Sequence, residues 1–316
     1  MSAEGSTRAI IAALLANLGI AVAKFIGFLV TMSSSLLAES IHSIADTGNQ
    51  VLLLLGGRRS QRRPTRLHQF GYGRERFFWA FVVAIILFSL GAMFAVYEGV
   101  EKVLHPHPID SPQWAIGILL VSIVLEANSF RTAIGESRPL KGRASWWMFI
   151  RRSRNPELPV VILEDAGALI GLVVALLAIS VAVVTDNGVW DGVGSITIGV
   201  LLGVIAVVLA VEMKSLLIGE SATSEAEARI ADAITSSPSV ATLITLRTQH
   251  IGPEEVLVAA KVEFDPTLSM GRLADVIDTV ESRVRAAEPT ARRIFIEPDV
   301  VRPDRGPGLD PWEGLG

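Results

Sequence analysis

Cysteine is absent from the 316-residue chain, which excludes disulfide bonds and metal sites built from thiolates. Histidine is also scarce, with five in the whole chain, and aromatic residues make up only 6%. Any bound metal ion would therefore be held by histidine, carboxylate, amide or water ligands. The net charge of -4 at pH 7 excludes little by itself, because the positions of the charges along the chain matter more than their sum.

Long apolar runs dominate the first two thirds of the chain and raise its mean hydropathy to +0.48. About 20 mostly apolar residues are needed for a helix to cross the hydrocarbon core of a bilayer. Six runs reach that length, near residues 9–30, 35–57, 77–103, 113–133, 159–184 and 190–213. The sequence therefore predicts an all-α bundle of six transmembrane helices over residues 1–219.

Basic residues are confined to two of the five links between these runs. The links after the second and fourth runs contain Arg58, Arg59, Arg62, Arg63, Arg66, Arg74 and Arg76, and Arg138, Lys141, Arg143, Arg151, Arg152 and Arg154. The other three links contain no Lys or Arg. The positive-inside rule then predicts that both termini and the basic links are cytoplasmic, in a multi-pass protein of the plasma (inner) membrane. Arginines that flank membrane spans without aromatic stacking residues do not indicate nucleic-acid binding.

The composition changes after Gly219 to that of a soluble domain. Residues 220–302 predict the order α-β-β-α-β, with helices at 224–236 and 273–287 and strands at 241–248, 256–264 and 293–296. Ser224 is the predicted N-cap of the first of these helices. We expect a small cytoplasmic α+β domain, followed by a disordered tail at 303–316 that is rich in Gly, Pro and Asp.

An ionisable stripe lies inside the second apolar run. Glu39, His42, Asp46 and Asn49 are spaced by three, four and three residues, which places them on one face of a helix. Charged groups at membrane depth cost several kcal/mol unless they face a bundle interior, a cavity or an ion. An imidazole and a carboxylate at i and i+4 suit Zn²⁺ and similar ions. The alternative is a His–Asp hydrogen bond that only joins helices.

Two adjacent carboxylates, Glu164 and Asp165, lie near the start of the fifth run. Adjacent residues on a helix point about 100° apart, so only one can point directly at a given neighbouring helix. Asp165 is the stronger candidate for a primary ligand, because the small Ala168 leaves room beside it. Glu164 would complete the ligand set or relay protons. The alternative is a pair of carboxylates solvated at the membrane interface.

These features together resemble the cation diffusion facilitator family, from about Ala9 to Asp299. The residues that carry the resemblance are Asn17 and Lys24, the segment 37–46, the Phe70–Arg76 segment, Asp191-Gly192 and the segment 216–220. The amino-acid sequences of segments 46–50 and 163–165 are similar to those of the zinc transporter nine branch of that family. The resemblance implies six spans with cytoplasmic ends, a C-terminal α+β domain that forms a homodimer, and a metal site made by the second and fifth spans.

The chain departs from the family pattern at three places. Zinc exporters of the family carry His or Asp four residues before the fifth-span Asp, where this chain has Val161. The family ligands that remain are His42, Asp46 and Asp165, so that Glu164 or Asn49 would supply a fourth. The histidines of cytoplasmic zinc sites are missing from the C-terminal domain, where only His250 remains, and the basic link 138–159 replaces a His-rich loop.

The resulting expectation is a proton-coupled efflux antiporter for divalent metal cations, Zn²⁺ above others, and not an enzyme. Its substrate and partners would be the metal ion, protons, the bilayer and a second copy of the chain, with no cofactor. The alternatives are export of Mn²⁺, Fe²⁺ or Co²⁺, a membrane metal sensor, and an intramembrane metal-dependent hydrolase. Secondary candidates for polar roles are His68, His105, His107, Glu126, Asn128 and Asp191.

Overall fold

The computed structural model describes residues 3–109, 111–142 and 144–301, without the side chains of residues 3–16, 88, 89, 140 and 152. It divides into two compact units, Met1–Ile218 and Gly219–Gly316. The predicted tail at 303–316 lies outside the described residues.

Every secondary-structure element described in the first unit is a helix. Its helices are α1 (Ala3–Thr31), α2 (Ser34–Ser60), α3 (Glu75–Ile86), α4 (Met93–Leu104), α5 (Pro112–Lys141), α6 (Trp146–Arg152), α7 (Glu157–Thr185) and α8 (Val189–Ile218). A π-helical turn, Leu87–Ala92, joins α3 to α4 into one continuous rod. The connections after α1, α4 and α7 are short.

In the described part of the chain, four of the six predicted spans are long and apolar enough to cross a membrane. They are Glu75–Leu104, Pro112–Pro139, Glu157–Thr185 and Val189–Ile218. The described part of α1 forms a shorter apolar helix, Asn17–Thr31. Helix α2 has 27 residues and thus a length of about 40 Å, but its polar stripe and serines lower its hydropathy. The structure therefore supports four spans by length and composition, and leaves the first two predicted spans to rest on the sequence pattern.

Glycines allow helix α8 to approach α4 closely. A methyl group added at Gly99 would lie 2.6 Å from the carbonyl oxygen of Gly192, and one at Gly199 would lie 2.8 Å from the carbonyl oxygen of Ala92. Small residues at such crossings replace the hydrophobic driving force that is missing between helices in lipid. The buried apolar core around this crossing includes Leu202 and Leu209 of α8 and Leu172 of α7.

Asp191, at the start of α8, binds the N-terminus of α2. Its carboxylate accepts hydrogen bonds from the backbone N–H groups of Ser34 (2.8 Å) and Ser35 (3.2 Å) and from the hydroxyl of Ser33 (2.9 Å). The Lys102 ammonium of α4 lies 3.9 Å from the same carboxylate. The prediction that Asp191 bonds neighbouring helices is thus confirmed, since a carboxylate at a helix N-terminus satisfies amides that have no partner within the helix.

The second unit has the predicted α-β-β-α-β order. Helix α9 (Ser224–Thr235) is followed by β1 (Val240–Gly252), β2 (Glu255–Phe264), α10 (Met270–Ala287) and β3 (Ala291–Pro298). The sheet has the order β1-β2-β3, with β1 antiparallel and β3 parallel to β2. Apolar residues of α9 and α10, such as Ile230 and Val280, pack against alternate residues of β2.

Local boundaries differ from the prediction at several places, among them β1, which extends to Gly252 instead of ending at 248. The N-cap of α9 is Thr223 and not Ser224, because the Thr223 hydroxyl accepts the hydrogen bond from Ala226 N. Helix α10 begins earlier, at Met270, with Ser269 as its N-cap. The predicted link 138–159 contains the short helix α6, and the Lys141 ammonium at the end of α5 lies 5.1 Å from the ring centre of Trp146 in α6.

Candidate functional site

The polar stripe of α2 faces the interior of the helical unit. Glu39, His42 and Asn49 are fully buried, and the Asp46 side chain is 15% exposed. The single-face prediction for these four residues is consistent with that burial, because spacings of three and four keep side chains on one side of a helix. The interior position rules out a lipid-facing stripe.

His42 and Asp46 lie side by side one turn apart. The distance from His42 Nδ1 to Asp46 Oδ1 is 3.5 Å, and neither imidazole nitrogen has a hydrogen-bond partner. Asp46 Oδ1 also has no hydrogen bond. Buried polar atoms without partners are costly, so groups left in this way indicate a ligand or a proton that binds between them. The alternative of a well-formed His–Asp hydrogen bond joining two helices is not what the structure contains.

The two adjacent carboxylates of α7 point to different helices. Glu164 accepts a hydrogen bond of 2.7 Å from the side-chain amide of Asn49 on α2, whereas Asp165 accepts one of 3.1 Å from the Ser129 hydroxyl on α5. Glu164 is only 5% exposed, which contradicts the alternative of a solvated interfacial charge. Glu164 is therefore the residue that contacts α2 directly. The sequence favoured Asp165 and gave no sign of its contact with Ser129.

These carboxylates line a small cavity of about 10 Å³, which has room for roughly one water molecule. It is lined by Asn17, Ser43, Asp46, Gln50, Glu126, Val161, Glu164 and Asp165. Asp46 of α2, Glu126 of α5 and both carboxylates of α7 thus share one space. Within the described residues no three His, Asp or Glu side chains are close enough together to form a complete metal-ligand set. The helices would have to close around an ion to complete one.

A buried ion pair lies one turn before His42. The Lys24 ammonium of α1 is 3.2 Å from Glu39 Oε2 and donates a hydrogen bond of 2.8 Å to the Ser43 hydroxyl. The other carboxylate oxygen, Glu39 Oε1, has no hydrogen-bond partner and packs against Gly171 of α7. The absence of a side chain at Gly171 therefore leaves room for the Glu39 carboxylate. Sequence reasoning assigned Lys24 no role, because the contact joins two helices.

The secondary candidates have other partners. His68 stacks against Tyr72 with ring centres 4.7 Å apart, and His105 lies 3.0 Å from Glu101. His107 Nδ1 is 2.7 Å from the Lys102 ammonium, and His250 Nδ1 is 3.2 Å from the Gly252 carbonyl oxygen. Each of these contacts explains its histidine without a metal ion. Asn128 is exposed and does not line the cavity, in contrast to Glu126.

The cavity is lined by residues of α1, α2, α5 and α7, and α5 and α7 are among the four helices long and apolar enough to cross a membrane in the described part of the chain. A family model, the cation efflux transmembrane domain, matches residues 10–218. The chain belongs to this family, which groups it with transporters rather than enzymes.

Curated relatives agree with this family. The chain is 33% identical over 245 residues to the mouse protein named proton-coupled zinc antiporter SLC30A9, mitochondrial, a match that covers 77% of this chain and 43% of that protein. It is 31% identical over 266 residues to metal tolerance protein C4 of Arabidopsis thaliana, covering 83% of this chain and 58% of the relative. Zinc transporter ZitB of Pectobacterium atrosepticum is 28% identical over 202 residues, with coverage of 63% and 57%. The chain thus spans about half the length of these relatives.

Proposed function

We propose that the chain exports divalent metal ions, with Zn²⁺ as its main substrate, in exchange for protons. The observation that carries the proposal is the buried His42–Asp46 pair without hydrogen bonds, beside a cavity shared with Glu164 and Asp165. Imidazole and carboxylate are ligands that Zn²⁺ takes in proteins. The relatives named as zinc transporters support the same substrate.

The ligand set of the proposal is His42, Asp46 and Asp165, with Glu164 or Asn49 as the fourth ligand. Asn49 Oδ1 is buried without a hydrogen-bond partner and is free to accept an ion, while its amide nitrogen holds Glu164. Metal ions bind only deprotonated ligands, so binding displaces protons from the carboxylates and the imidazole. This linkage is the physical basis for metal–proton exchange at a single site.

The site lies near the middle of α2. Asp46 is 12 residues from the start of the helix and 14 from its end, or about 18 and 21 Å at 1.5 Å per residue. A midplane position suits a site that opens alternately to the two sides of a membrane. In our proposal all six helices α1, α2, α3–α4, α5, α7 and α8 cross the bilayer, with both termini and the basic links on the cytoplasmic side.

A homodimer through residues 219–301 is the second part of the proposal. The family resemblance implies it, and Phe295 of the edge strand β3 is 54% exposed, an apolar side chain available for a partner. Sedimentation of the full-length protein in detergent tests the oligomeric state. The names of the animal relatives refer to mitochondria, so they give no support to the expected plasma-membrane location.

The candidate ligands around the cavity are mostly oxygen atoms, which bears on the identity of the transported metal ion. The cavity has one nearby imidazole but four carboxylates, Asp46, Glu126, Glu164 and Asp165. Carboxylate ligands suit Mn²⁺ better than they suit softer ions. Mn²⁺ is therefore the second candidate substrate, and competition between the two ions in one flux assay ranks them.

The proposal is tested with the purified protein in liposomes that contain a metal-sensitive dye. We expect Zn²⁺ flux with the wild type and a loss of at least roughly tenfold with His42→Ala or Asp46→Ala, because each removes one of the three ligands that both versions of the proposed set share. Asp186→Asn, an exposed change at the C-cap of α7 whose left-handed backbone Asn also adopts, is the matched control and should transport normally. Full flux in either site variant would remove the α2 site from the proposal.

A further inference from the structure

Lys24 places a positive charge inside the helical unit beside the proposed metal site. Its side chain is fully buried, and its ammonium donates a hydrogen bond to the hydroxyl of Ser43, the residue that follows His42. It is also close enough to Asp46 and Glu126 to interact with both carboxylates electrostatically. A lysine buried in this way would be expensive without a partner, and Glu39 supplies one.

The pair is held in place from three helices. Lys24 comes from α1, Glu39 and Ser43 from α2, and Gly171 of α7 provides the space into which Glu39 Oε1 fits. A neutral hydrogen-bonding pair would join α1 to α2 equally well, and an apolar pair would avoid the desolvation cost of two charges. The charges themselves therefore call for an explanation beyond helix packing.

We propose that Lys24 is an affinity-determining residue that limits how tightly the site holds a divalent cation. The inference rests on the proposed function. The carboxylates around the cavity attract a divalent ion strongly in a medium of low dielectric constant, and an ion held too tightly leaves slowly. The Lys24 ammonium opposes that attraction, while Glu39 offsets its charge and fixes its position. The balance between the two sets the affinity without either side chain contacting the metal.

The test compares the wild type with Lys24→Met, Glu39→Gln and the double variant. Zn²⁺ affinity is measured by isothermal titration of the full-length protein in detergent at pH 8 and low ionic strength. We expect Lys24→Met to tighten binding on the order of tenfold and Glu39→Gln to weaken it by a similar factor. The double variant, which loses both charges and keeps their sum, should return to within about threefold of the wild type. Asp186→Asn, an exposed change at the C-terminal end of α7 and outside the cavity lining, is the control and should leave the affinity near the wild-type value.

Transport in liposomes gives a readout that a purely structural role would not move. Lys24→Met should lower KM and kcat together, because tighter binding slows release. Changes of the same sign in both single variants, or no change, would overturn the inference while leaving the metal site intact. If Lys24→Met does not fold, Glu39→Gln and the double variant still decide the sign. A wild type that binds no Zn²⁺ or Mn²⁺ would overturn the proposed function together with this inference.

Discussion

At the scale of single residues, the site is defined by polar atoms that the fold buries but does not satisfy. Both nitrogens of His42, one oxygen of Asp46 and one of Glu39 have no hydrogen bond in the structure. The type and spacing of the α2 residues could be predicted from the sequence, because helical periodicity fixes which face they share. The contacts of Lys24 with Glu39 and Ser43 could not be predicted, since Lys24 reaches the site from another helix.

The role of Glu164 gives a prediction at this scale. Glu164→Gln should weaken Zn²⁺ binding about as much as Asp165→Asn does, on the order of tenfold or more, because each removes a negative charge from the same buried cavity. Isothermal titration of the variants in detergent measures the effect. Glu157→Gln is the matched control, as it lies on the same helix with its side chain 36% exposed.

Val161 lines the cavity at the position where zinc exporters of the family carry His or Asp. Val161→His introduced into Glu164→Gln should recover part of the lost affinity and should favour Zn²⁺ over Mn²⁺, because imidazole prefers the softer ion. Wild-type affinity in Glu164→Gln would instead leave a site of His42, Asp46 and Asp165, with Asn49 or water in the fourth position.

Among the helices and strands, the apolar runs predicted where most helices of the first unit lie. The contacts at the ends of helices were predicted poorly. Residues 159–184 predicted α7 to within two residues at each end, because apolar length is a strong signal. The choice of Thr223 over Ser224 as N-cap was missed, since both are good capping residues and only the backbone geometry distinguishes them. The pairing of β3 in parallel with β2 also had no local signal in the sequence.

The contact between α8 and the start of α2 gives the next prediction. Asp191→Asn should lower the stability of the full-length protein by about 1–3 kcal/mol, because charged hydrogen bonds to the backbone of Ser34 and Ser35 become neutral or are lost. Thermal unfolding in detergent measures the change. Asp186→Asn, an exposed substitution at the C-terminal end of α7, should leave the melting temperature unaltered, and equal behaviour of the two variants would contradict the prediction.

In the second unit, Glu288 connects α9 to the turn before β3. Its carboxylate is 2.5 Å from Arg229 Nη2 and 2.6 Å from the Thr290 hydroxyl. Burial alone would raise the pKa of Glu288, but hydrogen bonds from Thr290 and Arg229 outweigh it and lower the pKa below the usual value. A lowered pKa stabilises the folded state above the pKa of the unfolded chain, and that stability is lost as the pH falls through the folded-state value.

Glu288→Gln should therefore destabilise residues 219–301 by about 1–2 kcal/mol at pH 7, since hydrogen bonds to a charged group are replaced by neutral ones. The difference from the wild type should shrink as the pH falls through the lowered pKa of Glu288, where the wild-type carboxyl is itself protonated. Urea unfolding of the isolated unit at a series of pH values measures this. A difference that stays constant with pH would mean that Glu288 contributes through packing alone.

At the scale of the whole molecule, the two units have separate cores, around Leu172 and Leu202 in the first and Ile230 and Val258 in the second. The residues of the proposed metal site all lie in the first unit. The second unit, within its described residues, has no cluster of metal-binding side chains, and His250 is its only histidine. In the proposed function, metal and protons therefore bind at the same group of residues in the helical unit.

That assignment leads to the last prediction, which concerns coupling. In liposomes with an acidic interior, Zn²⁺ should accumulate inside faster than at equal pH, because protons leaving the vesicle replace metal at His42 and the carboxylates. An ionophore that dissipates the pH gradient should reduce the rate to that of facilitated diffusion. Asp46→Asn, which removes one ionisable ligand from the cavity, should respond less to the gradient than Glu157→Gln, whose side chain is 36% exposed. Zn²⁺ flux that ignores the pH gradient, with the wild type active, would mean that metal binding and proton release occur at different groups.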